Sequence, residues 1–231
     1  MSTLHYIFDP LCGWCYAVAP LLRAAHAVPG LSIALHGGGM MSGANRRSIT
    51  PQWRDYVLPH DRRIAQLTGQ PFGEAYFEGL LRDTTAVMDS APPTTAILAA
   101  EELAGRGLDM AHHLQHAHYV EGRRIADQAV LQALAAELGL EAAAFTAAFE
   151  RLAGEATEQH FRESRHWLAR VGGQGFPTLV LEQADGALAR IDVSPFLGQP
   201  EAFAAALRQQ VPAADEEEMI PHCGLDGCTD A

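Results

Sequence analysis

The sequence contains no lysine. All 16 basic residues are arginines, set against 28 acids, for a formal net charge of -12. A chain this acidic cannot hold a phosphate backbone by bulk charge, which argues against nucleic-acid binding. Polybasic attachment to a membrane surface is excluded on the same ground. No apolar run approaches the ~18 residues that a membrane span needs. The first ten residues carry neither a basic stretch nor an apolar one, so no secretory signal is expected and the cytoplasm is the expected place of work. Cysteine is scarce: only Cys12, Cys15, Cys223 and Cys228 occur, and residues 16–222 hold none.

What is present fits a soluble globular protein, with 231 residues of which 48% are hydrophobic and 19% charged. A chain of this length has a large enough core to stand without a disulfide framework. Two tight cysteine pairs, C-x-x-C at Cys12/Cys15 and C-x-x-x-x-C at Cys223/Cys228, therefore point to redox chemistry or a metal.

Residues 4–8, apolar and rich in aromatic and β-branched side chains, read as a buried strand ended by Asp9-Pro10. A helix follows over about 13–27, stopped by Pro29-Gly30, and then a second strand over 31–35. After Gly37-Gly38-Gly39 the chain reads as almost entirely helical for ~125 residues. Asp127 and Gly139 are good cap residues for one of these helices, and another runs over about 155–171. Residues 177–182 and 187–193 read as strands joined at Asp185-Gly186, a strong hairpin signal. A last amphipathic helix spans about 201–211. The final segment, 212–231, holds six acids and no basic residue and reads as an acidic tail around the second cysteine pair.

Cys12-Gly13-Trp14-Cys15 thus follows a strand and opens a helix. Unpaired backbone N–H groups and the macrodipole at a helix N-terminus favour a thiolate, which makes Cys12 the nucleophile. Cys15, one turn into the helix, is the resolving thiol that attacks a mixed disulfide at Cys12.

The order strand, C-x-x-C, helix, strand, helical insertion, then Gly175-Phe176-Pro177-Thr178 leading into a hairpin and a helix, resembles the DsbA-type branch of the thioredoxin superfamily. Asp9-Pro10-Leu11-Cys12-Gly13-Trp14-Cys15-Tyr16 is similar to the active-site stretch of that branch, and Pro20 matches the position of the helix-kinking proline in thioredoxins. The stretch 121–145 and the C-terminal C-x-x-x-x-C resemble cytoplasmic FrnE-like members. The resemblance spans 4 to about 210 and implies an α/β thioredoxin fold with a large all-helical insertion domain. With the helical block and the acidic tail read above, the chain divides into thioredoxin-like parts at 1–40 and 156–211, a helical insertion at 41–155 and a tail at 212–231. The resemblance also implies that Pro177 is cis and lies against the cysteine pair. Phe176 then offers its backbone N–H and C=O to an extended substrate. Two departures qualify the activity. Trp14 stands where oxidising relatives often carry His, so a reductase or isomerase is expected rather than a strong oxidase. Tyr6 stands where thioredoxins keep a buried acid, so proton transfer needs another group.

The expected function is thiol–disulfide exchange on protein disulfides through Cys12 and Cys15, with Gly13, Trp14, Phe176, Pro177 and Thr178 supporting the site. The partners are cysteine-containing protein substrates and a thiol donor such as glutathione or the thioredoxin system, with no cofactor and no metal. Cys223 and Cys228 are expected to act as a secondary redox pair, with a metal site or no role as the alternatives. A glutathione-dependent isomerase or transferase of the kappa type and a redox-sensing, holdase-like binding protein are the rival functions. His112, His113, His116 and His118 are read as a solvated helix face. Trp53, Tyr56, Tyr76 and Phe77 are read as packing of the insertion rather than a substrate groove.

Overall fold

The computed structural model describes residues 1–211. The pair Cys223/Cys228 lies outside the described residues. β1 (Ser2–Phe8) runs parallel to β2 (Leu31–Gly37) and antiparallel to β5 (Thr178–Glu182), which pairs antiparallel with β6 (Leu188–Ile191). The sheet order is β2-β1-β5-β6. β1 is central and buried on both faces, with Leu4, Tyr6, Ile7 and Phe8 in the core. Leu4, Tyr6 and Phe8 share one face by the two-residue period, and the Tyr6 hydroxyl reaches Cys15 O on α1 (Gly13–His26) at 3.1 Å. His5 points to the other face and stacks on Trp167 of α7 (Glu155–Arg170). The two helices therefore flank opposite sides of the sheet. α8 (Pro200–Arg208) packs beside α1.

Between β2 and β5 lie the remaining helices: α2 (Pro51–Thr68), α3 (Ala91–Ala104), α4 (Gly107–Tyr119), α5 (Gln128–Glu137) and α6 (Ala142–Leu152). Proline opens α2 at its first position, where the missing N–H costs nothing, and the Thr50 side chain accepts from Trp53 N at 3.1 Å. This segment also holds a two-stranded ribbon, β3 (Arg47–Ser48) with β4 (Val87–Met88), too short to leave a periodic signal. Among the described residues no helix is long and apolar enough to cross a membrane.

The glycine run after β2 is a packing requirement. A Cβ on Gly38 would stand 2.1 Å from the Phe176 ring, and one on Gly37 2.7 Å from Thr94. Gly39 has φ +63, a conformation that favours glycine. Arg165 of α7 then ties this turn down, donating to the Gly38 and Gly39 carbonyls at 2.9 and 2.8 Å.

Candidate active site

Cys12 is the N-cap residue of α1. Its carbonyl accepts from Cys15 N and Tyr16 N at 3.0 and 3.1 Å, closing the first turn. The turn that delivers it is held by Asp9, which is fully buried. One Asp9 oxygen accepts from Leu11 N and Ser90 Oγ, both at 2.9 Å, and the other from Met40 N at 2.6 Å. One carboxyl thus joins the β1–α1 turn, the loop after β2 and the start of α3. Burial pushes its pKa up to about 6, although these donors favour the charged form.

The described cysteines are both free thiols. Cys12 is on the cavity wall, whereas Cys15 is wholly buried. Burial, and then the neighbouring Cys12, push the Cys15 thiol well above its ordinary range. Phe176-Pro177 is a cis peptide, as the resemblance implies. The loop brings the Phe176 carbonyl to 3.6 Å from Cys12 Sγ, which donates to it. Thr178 Oγ1 donates back to Gly175 O at 2.8 Å and closes that loop. Residues 164 apart in the chain thereby meet at one sulfur.

Two concave surfaces adjoin the dithiol turn. A cavity of about 910 Å³ opens beside Cys12, Gly13 and Trp14, walled by Met40 and Met41, by Arg46 and Arg47, and by Trp53, Tyr56, Asp61 and Ile64 of α2. Tyr76, His118 and Tyr119 line it as well. The Arg47 guanidinium sits over the Trp53 ring, 5.1 Å from its centroid, while Arg46 pairs with Asp89 at 2.7 Å. On the other side, Trp14 and Pro177 border a smaller groove with Val18, Leu67, Val193 and Leu197.

Several side chains sit elsewhere than the sequence suggested. Trp53, Tyr56 and Tyr76 line the cavity instead of only packing the insertion, because α2 lays one face along it and Tyr76 bonds to Asp61 of that face. His112 and His118 are buried, so only His113 and His116 of the four α4 histidines reach solvent. Burial lowers the pKa of each to about 3. Among the described residues no cluster of three His, Cys, Asp or Glu side chains could hold a metal. Asp61 was missed altogether. It shares the α2 face of Trp53, Val57 and Ile64 at helical spacing, an acid inside an apolar stripe, and that was its only signal.

A profile of the DSBA-like thioredoxin domain matches residues 3–193. No curated protein matches the chain. Among solved structures, the cytosolic disulfide reductase DsbM from Pseudomonas aeruginosa is 56% identical. That match has a TM-score of 0.85 and covers 90% of this chain and 98% of that one. A second structure of DsbM from Pseudomonas aeruginosa, with GSH, is 54% identical with a TM-score of 0.84 over the same shares.

Proposed function

The chain belongs to the family of DSBA-like thioredoxin domains and is a thiol–disulfide oxidoreductase, and from that premise we propose that it reduces protein disulfides with glutathione as its electron donor. The observation that carries this reading is the cavity beside Cys12. Its volume of about 910 Å³ suits a tripeptide-sized ligand. Arg46 and Arg47 at its wall suit the two carboxylates of glutathione, and Trp53 and Tyr56 offer flat apolar surface to its backbone. The 54% identical DsbM structure with GSH supports the same donor.

In this mechanism Cys12 Sγ attacks one sulfur of a substrate disulfide, that S–S bond breaks, and the other substrate sulfur leaves with a proton. The buried Cys15 gives up its proton and attacks Cys12, releasing the second substrate thiol and leaving a Cys12–Cys15 disulfide. One glutathione opens that bond at Cys12 and a second removes the first as glutathione disulfide, which returns both thiols. Gly13 and Trp14 shape the dithiol turn. The Phe176 backbone and the groove along Trp14 and Pro177 receive the protein substrate as an added strand, closed behind by Thr178. Residues 41–155 act as the lid that carries the glutathione wall, over a thioredoxin-like part formed by 1–40 and 156–211. A glutathione-fed reductase of this kind works in a reducing cytoplasm.

Insulin reduction with glutathione as sole donor tests the reading. The unaltered protein is expected to accelerate it and Cys12→Ser to abolish it. Cys15→Ser should accumulate glutathione on Cys12, readable by mass spectrometry of the intact chain. Acceleration that survives Cys12→Ser, or a protein inert to glutathione but active with another thiol, would overturn it.

A further inference from the structure

A thiol entering the cavity must lose its proton before it can attack a disulfide at Cys12, because the thiolate is the nucleophile. The β1 face that turns Leu4, Tyr6 and Phe8 toward α1 supplies no base for this. Six residues before Cys12 stands Tyr6, whose hydroxyl is engaged with Cys15 O and whose pKa burial holds well above its ordinary value.

A carboxyl stands on the opposite wall. Asp61 of α2 is only 4% exposed. Its Oδ2 accepts from the Tyr76 hydroxyl at 2.9 Å. Its Oδ1 lies 2.9 Å from where a Cβ on Gly13 would stand, and no protein group among the described residues donates to it. One oxygen is therefore anchored and the other is open, one residue from the nucleophile and on the wall of the same cavity. A side chain at position 13 would crowd that oxygen.

We propose that Asp61 is the proton relay of the glutathione half-reaction, an inference that rests on the glutathione reading above. Its carboxylate takes the S–H proton of the incoming glutathione. The resulting thiolate attacks the glutathione sulfur of the Cys12 mixed disulfide, and a new S–S bond forms between the two glutathiones. The old S–S bond breaks and leaves its electron pair on Cys12 Sγ. Asp61 then passes its proton to solvent, or to the substrate thiolate that departs in the next cycle.

The surroundings suit a relay at neutral pH. Burial raises the Asp61 pKa to about 7, and the Tyr76 hydrogen bond pulls in the other direction. The titratable and charged groups that share its cavity are Cys12 at the N-cap of α1, His118 and Tyr119 of α4, Tyr76, the α2 residues Tyr56 and His60, Arg46 before β3 and Arg47 of β3. Tyr119 is held neutral by burial and His118 likewise, so neither competes for the proton near neutrality.

The test uses full-length protein with Cys15→Ser, glutathionylated at Cys12 and mixed with glutathione in single-turnover measurements across neutral pH. With Asp61 present, the rate should rise through a transition near pH 7. Asp61→Asn should remove that transition and slow the reaction roughly tenfold or more at neutral pH. The deficit should shrink at alkaline pH, as glutathione approaches a thiol pKa of about 8.5 and ionises unaided. Tyr76→Phe should move the transition to higher pH, because the hydrogen bond that favours the carboxylate is gone. A loss by the same factor at every pH, or none, overturns the relay. A transition unmoved in Tyr76→Phe does so as well, and that variant decides the matter if Asp61→Asn fails to fold. Failure of the Asp61-containing protein to react with glutathione at any pH would overturn the glutathione reading together with the relay.

Discussion

A missing methylene can be as consequential here as a thiol. Gly38 lies against the Phe176 ring so closely that a methyl group would stand 2.1 Å from it. Phe176 in turn holds its carbonyl 3.6 Å from Cys12 Sγ. Gly38→Ala is therefore expected to push the Phe176–Pro177 loop away from the dithiol turn. Overpacking of this kind costs about 1–3 kcal/mol, measurable by urea unfolding. The loss of kcat/KM toward protein disulfides should exceed any loss in glutathione exchange, since the loop faces the substrate groove and the cavity lies beyond Gly13. Equal losses in both reactions would argue that the glycine serves only the core. The tripeptide Gly37-Gly38-Gly39 was legible as a break in the strand pattern. Which ring it makes room for was not, because that partner lies well over a hundred residues further along the chain.

At the scale of one element, α2 forms one wall of the cavity. Trp53, Tyr56, Asp61 and Ile64 all face the dithiol turn from it. Its first turn depends on the Thr50 side chain, which accepts from Trp53 N. Thr50→Ala should cost about 1 kcal/mol of stability through the lost cap. Fraying there loosens Trp53 and the Arg47 guanidinium stacked on it. The KM for glutathione is expected to rise by a few-fold, with kcat changed less, in a steady-state assay at saturating protein substrate. A fall in kcat at unchanged KM would contradict the assignment of this helix end to ligand binding. The sequence marked this stretch as part of a long helical block but offered no means of telling which face would be covered. An amphipathic stripe with an acid in it packs on a core or walls a cavity with the same periodicity.

Across the whole molecule, buried ionisable groups set the pH response. Burial lowers His36 to about 4, lowers His112 and His118 to about 3 each, and lowers His160 also. It raises Asp9 to about 6 and Asp61 to about 7. Between about pH 4 and 6.5 the unfolded chain protonates His36, His112 and His118, which the folded chain keeps neutral, and the lowered His160 acts in the same direction. Over the same window the folded chain keeps two carboxyl protons that the unfolded chain releases. The unfolded state therefore binds more protons, and stability falls as the pH drops, by at most roughly 2–3 kcal/mol per pH unit. Above about 6.5 the histidine contribution is complete, and the raised Asp61 reverses the slope until it too is ionised. Urea unfolding at pH 5 should accordingly show a lower midpoint than at pH 6.5. An equal or higher midpoint would mean that these histidines are protonated in the fold.

The sequence by itself determined the strand that ends at Asp9-Pro10, the helix that opens at Gly13 and the thiol that stands between them. It did so because period-two and helical patterns, breakers and a three-residue cysteine spacing are local properties of the chain. It also placed the Asp185-Gly186 hairpin, and resemblance brought Pro177 to the cysteines. Only the tertiary structure decided that Asp9 knots three segments, that Asp61 faces Gly13, and that His112 and His118 are buried rather than solvated. The physical reason is common to all of these. A carboxyl or an imidazole has the same pattern whether it faces water or a cavity. Its protonation is set by groups that reach it from other elements, and their distance along the chain leaves no local trace.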